Sequence, residues 1–491
     1  FKLWEKMKLK KNSFSKFKNY ILKNFLEVQG VISVNLVGSF WNNPNENNFR
    51  DIDIVIILNN IDKKKFINCV KFVEKIDLNL FGLKDYDIKV NTTFGPLKFD
   101  LKKTLVFHLM IYDENSHKEH VIKSPFTCYD WERTKLVSGK KLKDIFPVSS
   151  LQFSDFLNAR RGIKDYQKDL KKNKISYREY SWIGKNVVLK KKYFNTSDWH
   201  KTEYLYHIIK NILVNYYKLI NQKNFLPGDE RIKKLLIKIN KKNYKNSFNN
   251  FKSLRYAKKN KIKISTNNLE KWVFKFTLDF QKLIKKELDK KIKIIFLRHG
   301  KTKLNDGSFL GIYRNPEIIL SNQTKNKIKK IKTKKILYVY SSEMKRCKQT
   351  SRLLNKKINL IINKNLNEKN YGYAEGMRYN QLNKKYPYLI NGWKNKKDPR
   401  FPGGENDNDV LKRYNSFKKE LIKNLNKIKN SGEVYVVSHN VVLRNIIGSE
   451  IGLKKLDWHK IKVDHITPVE FVLFKNKLIP NINRNLLMEY N

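Results

Sequence analysis

One short segment decides the fold of the C-terminal third of this 491-residue chain: residues 292–300, with the sequence IKIIFLRHG. Its apolar, largely β-branched start predicts a buried strand from Ile292 to Leu297. That strand runs directly into Arg298, His299 and Gly300. Ligands of open α/β sheets bind at the carboxyl ends of the strands, so an arginine and a histidine at this place favour a phosphate site.

A second predicted strand, Val434 to Val437, ends in the same way, at Ser438, His439 and Asn440. A further strand, Ile336 to Tyr340, lies between the two, and helical patterns separate all three. This alternation predicts a largely parallel sheet. A histidine alone at a strand end is more often a hydrogen-bonded structural residue. Because two strands end in a histidine, we expect the two imidazoles to lie close together in one crevice at the edge of the sheet.

The same third of the chain carries five motifs in a fixed order, and they continue past these two strand ends. They are Arg298-His299-Gly300-Lys301-Thr302 with Asn305 following, Tyr340-Ser341-Ser342-Glu343-Met344-Lys345-Arg346 leading to Thr350, Leu366-Asn367-Glu368-Lys369-Asn370-Tyr371-Gly372, Phe401-Pro402-Gly403-Gly404-Glu405, and Ser438-His439-Asn440. In order and spacing they resemble the histidine phosphatase superfamily, which includes cofactor-dependent phosphoglycerate mutases and fructose-2,6-bisphosphatases. The resemblance implies a three-layer α/β domain that needs no metal or other cofactor.

The resemblance also implies roles for individual side chains. His299 would attack the phosphoryl group and become a phosphohistidine, while Arg298, Arg346 and His439 hold the phosphoryl oxygens. Glu368 would protonate the leaving oxygen, with Glu375 as the alternative acid. Thr302 and Asn305 would contribute to substrate binding.

Elementary chemistry agrees with these roles. A neutral imidazole is a good nucleophile near neutral pH. Guanidinium groups stabilise charge that spreads over phosphoryl oxygens, and their planar fork binds phosphate in bidentate fashion. A carboxyl group that acts as an acid near pH 7 needs a raised pKa, which burial supplies. Residues 386–405 resemble the phosphatases of the superfamily more than the mutases, which favours net hydrolysis. The sequence departs from the family at Asn440, where many members have glycine after the second histidine.

A separate candidate site lies near the start of the chain. Gly38 and Ser39 follow a predicted strand, Val31 to Val37, and a Gly-Ser turn there offers backbone N–H groups to a substrate phosphate. Asp51 and Asp53 open the next strand. Side chains alternate along a strand, so both carboxylates point to one face. Two aligned carboxylates can bind Mg²⁺ that also contacts triphosphate oxygens. The arrangement resembles the polymerase β-like nucleotidyltransferases over about the first 130 residues.

That family usually has a third carboxylate, and the sequence leaves its identity open. Asp87 and Asp100 are candidates, or there is none. The strand that could carry the third acid, Leu105 to Tyr112, has His108 at its centre. If His108 takes that position, two-metal catalysis is disfavoured and this region only binds nucleotide.

The predicted fold class is therefore a multidomain α/β protein with three parts. Residues 1–150 form a nucleotidyltransferase-like α/β domain, residues 151–290 a helical domain, and residues 291–491 the histidine phosphatase domain. In the middle part, apolar residues recur at helical spacing from Leu205 to Ile220 and from Val273 to Ile284. Such stripes are typical of a buried helix face.

Composition narrows the partners only a little. Lys and Arg total 104 against 45 Asp and Glu, a formal charge of +59. The lysines are spread over the whole chain, so nucleic acid is a less favoured partner than a small phosphorylated substrate or a nucleoside triphosphate. The three cysteines lack metal-like spacing, and no apolar run is long enough to cross a membrane, which predicts a cytoplasmic protein.

Together these features predict a bifunctional enzyme, a phosphohistidine-dependent phosphatase joined to a Mg²⁺-dependent nucleotidyltransferase. One alternative is a phosphatase whose N-terminal part is a catalytically silent module that binds nucleotide or RNA. A further alternative, RNA binding through bulk positive charge, predicts an affinity that falls steeply with salt.

Overall fold

The computed structural model describes residues 11–42, 51–95, 103–158, 164–184, 186–221, 228–260, 262–264, 266–331, 335–354 and 360–484. The chain divides into two compact units. Unit 1 takes the described residues of Phe1–Leu151 and Asn158–Phe280, and unit 2 takes those of Gln152–Leu157 and Gln281–Asn491. The short segment Gln152–Leu157 thus lies with unit 2, and the predicted division into three domains stays a prediction.

The strands of the described residues form three sheets. Unit 1 contains a five-stranded sheet of order β3-β4-β2-β1-β5 and the hairpin β6-β7, and unit 2 contains a six-stranded sheet of order β10-β9-β11-β8-β12-β13. In chain order the strands are β1 Val31–Val37, β2 Asp51–Leu58, β3 Asp87–Asn91, β4 Thr104–Asp113, β5 Val137–Gly139, β6 Lys174–Ile183, β7 Asn186–Asn195, β8 Ile292–Arg298, β9 Ile336–Ser341, β10 Leu360–Ile362, β11 Gly432–Ser438, β12 Val469–Phe474 and β13 Lys477–Pro480.

Helices make up most of the remaining described structure. They are α1 Lys11–Leu26, α2 Ser39–Asn42, α3 Lys63–Glu74, α4 Glu114–Lys123, α5 Pro125–Trp131, α6 Leu142–Ile145, α7 Asp155–Asn158, α8 Lys164–Lys171, α9 Asp198–Asn221, α10 Asp229–Ile239, α11 Tyr244–Asn260, α12 Thr266–Asp289, α13 Asn322–Lys330, α14 Lys345–Leu354, α15 Tyr379–Lys385, α16 Pro387–Lys394, α17 Asp407–Leu425 and α18 Asn440–Glu450, with 3-10 turns at Leu78–Phe81, Lys364–Leu366, Gly372–Ala374 and Lys455–Lys460. None of the described helices is long and apolar enough to cross a membrane.

In unit 1 the alternation along β2 sorts its side chains onto two faces. Ile52, Ile54 and Ile56 are buried in a core that also contains Phe17 of α1. Asp51 and Asp53 occupy the intervening positions and are only partly buried. The strand therefore presents both predicted carboxylates on the face opposite that core, as the period of two requires.

In the described ranges between residues 151 and 290 the chain is mostly helical, and it also contains a β-hairpin. The predicted stripe of α9 is buried, with Ile208, Ile209 and Ile212 at 0% exposure, so these residues form core. No strand was predicted in this region, and the hairpin β6-β7 is a correction to that expectation. Its strands pair antiparallel from Lys174 opposite Asn195 to Ile183 opposite Asn186. Interspersed charged residues hide the alternating pattern that usually marks a strand.

The centre of the unit 2 sheet is parallel, as the alternating pattern predicted. Strands β9, β11 and β8 run in one direction, and on the β8 side β12 pairs antiparallel with β8 and β13 antiparallel with β12. Ser438 at the end of β11 lies in register with Arg298 at the end of β8. The residues that follow these two strands therefore emerge side by side at one edge of the sheet.

Candidate active site

The structure brings the two predicted histidines together. The backbone N–H of His299 donates to the Ser438 carbonyl over 3.0 Å, which couples the two strand ends. The ring centroids of His299 and His439 are 5.1 Å apart, and the planes meet at 63°. Both side chains are buried, at 3% and 0% exposure. Two buried imidazoles in contact at the end of a parallel sheet form the centre of the candidate site.

The hydrogen bonding of His299 fixes which ring nitrogen can react. Its Nδ1 lies 2.7 Å from the Gly300 carbonyl oxygen, which can only accept, so Nδ1 carries the proton. Burial, together with the positive charge of Arg346, lowers the pKa of His299 well below its usual value. The ring is therefore neutral near pH 7. Its Nε2 carries a lone pair, as a nucleophile requires.

Arg346, from the first turn of α14, ties this centre to a neighbouring loop. The guanidinium is fully buried, and its Nε donates to Nδ1 of His439 over 3.2 Å. Its Nη1 and Nη2 donate to the carbonyls of Arg314 and Gly311, at 3.2 and 2.9 Å. A guanidinium has five N–H donors, so donors remain for a bound anion. Nδ1 of His439 accepts, which places its proton on Nε2, 2.9 Å from Ser342 Oγ.

Arg298 supplies a second guanidinium at the same strand end. Its Nη1 donates to the Val463 carbonyl over 2.9 Å. Its Nε is buried and has no hydrogen-bond partner among the described residues. Burial lowers the pKa of this guanidinium below its usual range. A buried donor without a partner is costly, and a phosphate oxygen would satisfy it.

The predicted acid, Glu368, has the environment that its role requires. It is 6% exposed, and its Oε1 accepts from the Lys369 backbone N–H over 3.0 Å. Burial raises the pKa of Glu368, against the opposing effects of that N–H and of the charges on Arg346 and Arg298. The alternative acid, Glu375, accepts instead from the backbone N–H groups of Tyr313 and Arg314, at 3.0 and 2.7 Å. It holds the loop that Arg346 also contacts.

The two predicted substrate-binding residues of this domain bond to each other. Asn305 Oδ1 accepts from the backbone N–H of Thr302 at 2.8 Å and from its Oγ1 at 3.1 Å. Thr350 makes a comparable link nearby: its Oγ1 accepts from the Gly300 N–H over 2.9 Å and donates to the Arg346 carbonyl over 2.7 Å. These bonds fix the backbone on which His299 and Arg346 stand.

A third histidine at this centre was missed by the sequence analysis. His465 Nδ1 lies 2.7 Å from the carbonyl oxygen of His299, and the two ring centroids are 5.3 Å apart. His465 precedes β12, which pairs with β8. It belongs to no motif, and only the strand order of the folded sheet brings it beside His299.

The N-terminal candidate site has a different character. Asp53 and His108 lie opposite each other in the parallel pair β2-β4, and Asp53 Oδ1 is 3.0 Å from His108 Nδ1. The other ring nitrogen is 2.8 Å from the Thr93 carbonyl. Burial by itself lowers the pKa of His108, but the bond to Asp53 and its charge, with the Thr93 carbonyl, raise it overall. Both ring nitrogens face acceptors, an arrangement that favours the doubly protonated form of the ring.

Gly38 packs against the same carboxylate. Its φ is +85°, and a Cβ built there would lie 2.2 Å from Asp53 Oδ2. Only glycine fits this position, because it tolerates the left-handed backbone and leaves room for the carboxylate. Ser39, predicted with Gly38 to bind the substrate phosphate, is the first residue of α2, and this role stays a prediction.

The residues present fit a two-metal site poorly. His108 lies opposite Asp53 on β4, the strand that was expected to carry a third acid, and its ring contacts the Asp53 carboxylate. Asp87 is exposed at the start of β3, two strands away from β2, and Asp100 lies outside the described residues. Within the described ranges no group of three or more His, Cys, Asp or Glu could hold a metal ion. Binding of Mg²⁺ by Asp51 and Asp53 stays a prediction.

Comparison with known proteins bears on the C-terminal region. The model of the histidine phosphatase superfamily, branch 1, matches residues 294–478. Among solved structures, the chain is similar to the α-ribazole phosphatase of Shigella flexneri (22% identity, 39% of this chain and 96% of that one, TM-score 0.33). It is also similar to a mycobacterial glucosyl-3-phosphoglycerate phosphatase (20% identity, 37% of this chain and 89% of that one, TM-score 0.33). A further similar structure is a phosphoglycerate mutase of Bacillus anthracis (18% identity, 41% of this chain and 98% of that one, TM-score 0.32).

No curated protein matches the chain. The family match spans all five motifs, from the strand before His299 to the one after His439, and the structure assembles the histidines and arginines of those motifs around one centre. Residues 294–478 are a domain of the histidine phosphatase superfamily.

Proposed function

We propose that this domain is a phosphatase that hydrolyses a phosphate monoester through a phosphohistidine on His299. The observation that carries the proposal is the state of the His299 ring. It is neutral, its Nδ1 proton is bonded to Gly300, and its Nε2 lone pair lies in a buried centre with Arg346 and His439. A nucleophile and positive donors are thus held in place before substrate binds.

In the first step Nε2 of His299 forms a bond to phosphorus while the bond from phosphorus to the leaving oxygen breaks. Glu368 gives its carboxyl proton to that oxygen. In the second step water attacks phosphorus, its proton passes to the Glu368 carboxylate, and the bond between nitrogen and phosphorus breaks. The products are an alcohol and inorganic phosphate, and both residues return to their starting states. Arg298, Arg346 and His439 stabilise the oxygens in each step.

The test is a hydrolysis screen of the full chain over sugar phosphates, nucleotides and phosphoglycerates, with His299→Ala as the control. We expect phosphate release by the wild type and an acid-labile phosphoenzyme after rapid quenching. Both should be absent in the variant. Activity that survives His299→Ala would refute the assignment of the nucleophile.

For the N-terminal region we propose two alternatives. One is a Mg²⁺-dependent nucleotidyltransferase, which would make the protein bifunctional. The other is a silent module that binds nucleotide or RNA, and the contact between Asp53 and His108 favours it. Transfer of labelled nucleotide by the wild type, lost in Asp51→Ala plus Asp53→Ala, would support the enzyme. A silent module would transfer none in either protein.

A bifunctional enzyme would also be expected to share a compound between its two activities. Small phosphorylated substrates and nucleoside triphosphates are the proposed ligands, in a cytoplasmic setting. Finding no substrate or product common to both activities would count against such coupling. Nucleic-acid binding that tolerates any sequence and falls steeply with salt would instead indicate the bulk charge of the chain.

A further inference from the structure

We propose that His465 is a positioning residue of the phosphatase site: it fixes the peptide plane between His299 and Gly300 and thereby the orientation of the nucleophilic ring. The inference rests on the proposed function of His299. No motif of the sequence marks His465, and its role follows from hydrogen bonds in the folded chain.

The first observation is where His465 stands. Strand β8 lies between β11 and β12 in the sheet. The N–H of His299 donates toward β11, to the Ser438 carbonyl. On the β12 side, His465 forms a bridge with Arg298, and the N–H of Ile466 donates to the Arg298 carbonyl over 3.0 Å. His465 is therefore placed by main-chain pairing, next to the end of the strand that carries the nucleophile.

The second observation is how the peptide after His299 is held. Its carbonyl accepts from His465 Nδ1 over 2.7 Å, and its N–H, which belongs to Gly300, donates to Thr350 Oγ1 over 2.9 Å. The peptide unit is planar, so bonds at both of its polar groups fix the rotation of the whole plane. The next carbonyl along the chain, that of Gly300, accepts the Nδ1 proton of His299. Rotation of the plane would move that carbonyl and, with it, the ring.

The third observation is the state of the His465 ring. A carbonyl oxygen only accepts, so Nδ1 of His465 carries a proton. Burial and the charge of Arg298 lower the pKa of His465 to about 4, so the ring is neutral near pH 7. It can act as a donor to His299 without adding a further positive charge beside the nucleophile. The contact between the two rings, with centroids 5.3 Å apart, also limits how far His299 can turn.

Three substitutions separate the contribution of each nitrogen. In His465→Asn the amide nitrogen takes the place of Nδ1, so the donor to the His299 carbonyl is kept. In His465→Gln the amide nitrogen reaches the place of Nε2 instead, and that donor is displaced. His465→Ala removes both nitrogens. Asn and Gln differ by a single methylene, so their comparison remains decisive if the Ala variant folds poorly.

The experiment uses the full chain with p-nitrophenyl phosphate, and measures kcat, KM and the amount of phosphohistidine formed in a single turnover. We expect His465→Asn to keep kcat within about threefold, and the Gln and Ala variants to lose about 10- to 100-fold, because small displacements of reacting groups have effects of this size. KM should change by less than about twofold, because the substrate-binding groups are untouched.

Equal activity in all four proteins would overturn the proposal, and so would rescue by Gln but not by Asn, which would assign the effect to Nε2. A wild type that hydrolyses the substrate without forming phosphohistidine would overturn the function proposed for His299, and this inference with it. Wild-type phosphohistidine combined with equal rates in the variants would overturn the role of His465 alone.

Discussion

Each of the two candidate sites contains a histidine at a pair of parallel strands, and the surroundings shift the pKa values of the two histidines in opposite directions. His299 is buried and lies in the field of the Arg346 charge, and its pKa is lowered. His108 faces Asp53 and the Thr93 carbonyl, and its pKa is raised. The first environment favours a neutral ring with a free lone pair, whereas the second favours a ring protonated on both nitrogens. The groups around an imidazole therefore decide whether it acts as a nucleophile or as a counter-ion.

The two candidate sites also differ in the charge of the groups that surround them. The C-terminal centre collects Arg298, Arg346 and neutral histidines, which leaves a surplus of positive charge for an anion. At the N-terminal site His108 already compensates Asp53, so less negative charge remains for a cation. The charges at the first site therefore favour an anion, and those at the second favour a cation less than two free carboxylates would.

The largest effect should come from the nucleophile. His299→Ala should lower phosphatase kcat by about 10⁴-fold or more, because loss of a covalent nucleophile removes the phosphohistidine route altogether. His108→Asn is the matched control and should leave phosphate release unchanged. Comparable losses in both variants would erase the distinction between the two histidines.

The next effect concerns the acid. Glu368→Gln should lower kcat on alkyl phosphates by about 10²–10⁴-fold, because the leaving oxygen no longer receives a proton. The loss should be small with p-nitrophenyl phosphate, whose leaving group departs without protonation. In Glu375→Gln the ratio of kcat on alkyl phosphates to kcat on p-nitrophenyl phosphate should equal that of the wild type. A leaving-group dependence in Glu375→Gln instead would make Glu375 the acid.

The pH profile follows from the same two groups. His299 must be neutral, so activity falls as pH drops through its lowered pKa, and this limb lies below 6.5. Glu368 must be protonated, so activity falls as pH rises through its raised pKa, and this limb lies above 4.5. Measured kcat/KM against pH should lack the second limb in Glu368→Gln. A limb that persists there would belong to another group.

A smaller loss is expected at the guanidinium. Arg346→Lys keeps the positive charge but loses the fork that contacts His439 and the loop carbonyls of Gly311 and Arg314. We expect kcat to fall about 10²–10³-fold, as for other groups that stabilise a transition-state oxygen. Arg378 is exposed, and in the control variant Arg378→Lys kcat should fall by less than twofold. Equal rates for the two variants would exclude a special role for Arg346.

The smallest expected effect is a gain at the other site. His108→Asp would place a third carboxylate in register with Asp53 and remove its counter-ion. We expect Mg²⁺-dependent binding of a nucleoside triphosphate to strengthen several-fold in calorimetry, because carboxylate oxygens are the ligands that Mg²⁺ prefers. His108→Asn removes the counter-ion without adding a ligand and should gain less. No difference between the two variants would argue against a cation site here.

The sequence predicted the C-terminal domain well because its information is local. A strand that ends in Arg298-His299 and another that ends in Ser438-His439 are each readable from a few residues, and parallel pairing then brings the ends together. The match over residues 294–478 confirms the superfamily. The N-terminal nucleotidyltransferase stays a prediction, although β1, β2 and β4 lie close to their predicted positions.

What the sequence did not show depends on contacts between distant segments. His465 reaches His299 only because β12 pairs with β8. His108 meets Asp53 through the register of β2 and β4, which no local pattern fixes. The hairpin β6-β7 was missed because its charged residues obscure the alternation. The amino-acid composition likewise does not predict that residues 152–157 belong to unit 2.

The segment of residues 152–157 is synthesised long before the residues that it contacts in the folded chain. Phe153, Asp155 and Phe156 are buried, and Asp155 forms a buried ion pair with Arg484, 329 residues further along the chain. At about 5–20 residues per second, a ribosome needs roughly a quarter of a minute to a minute to cover that interval. Until Phe474 and Arg484 have been synthesised, Phe153 and Asp155 lack the aromatic ring and the guanidinium that contact them in the folded chain, so this segment is exposed to chaperones during that interval.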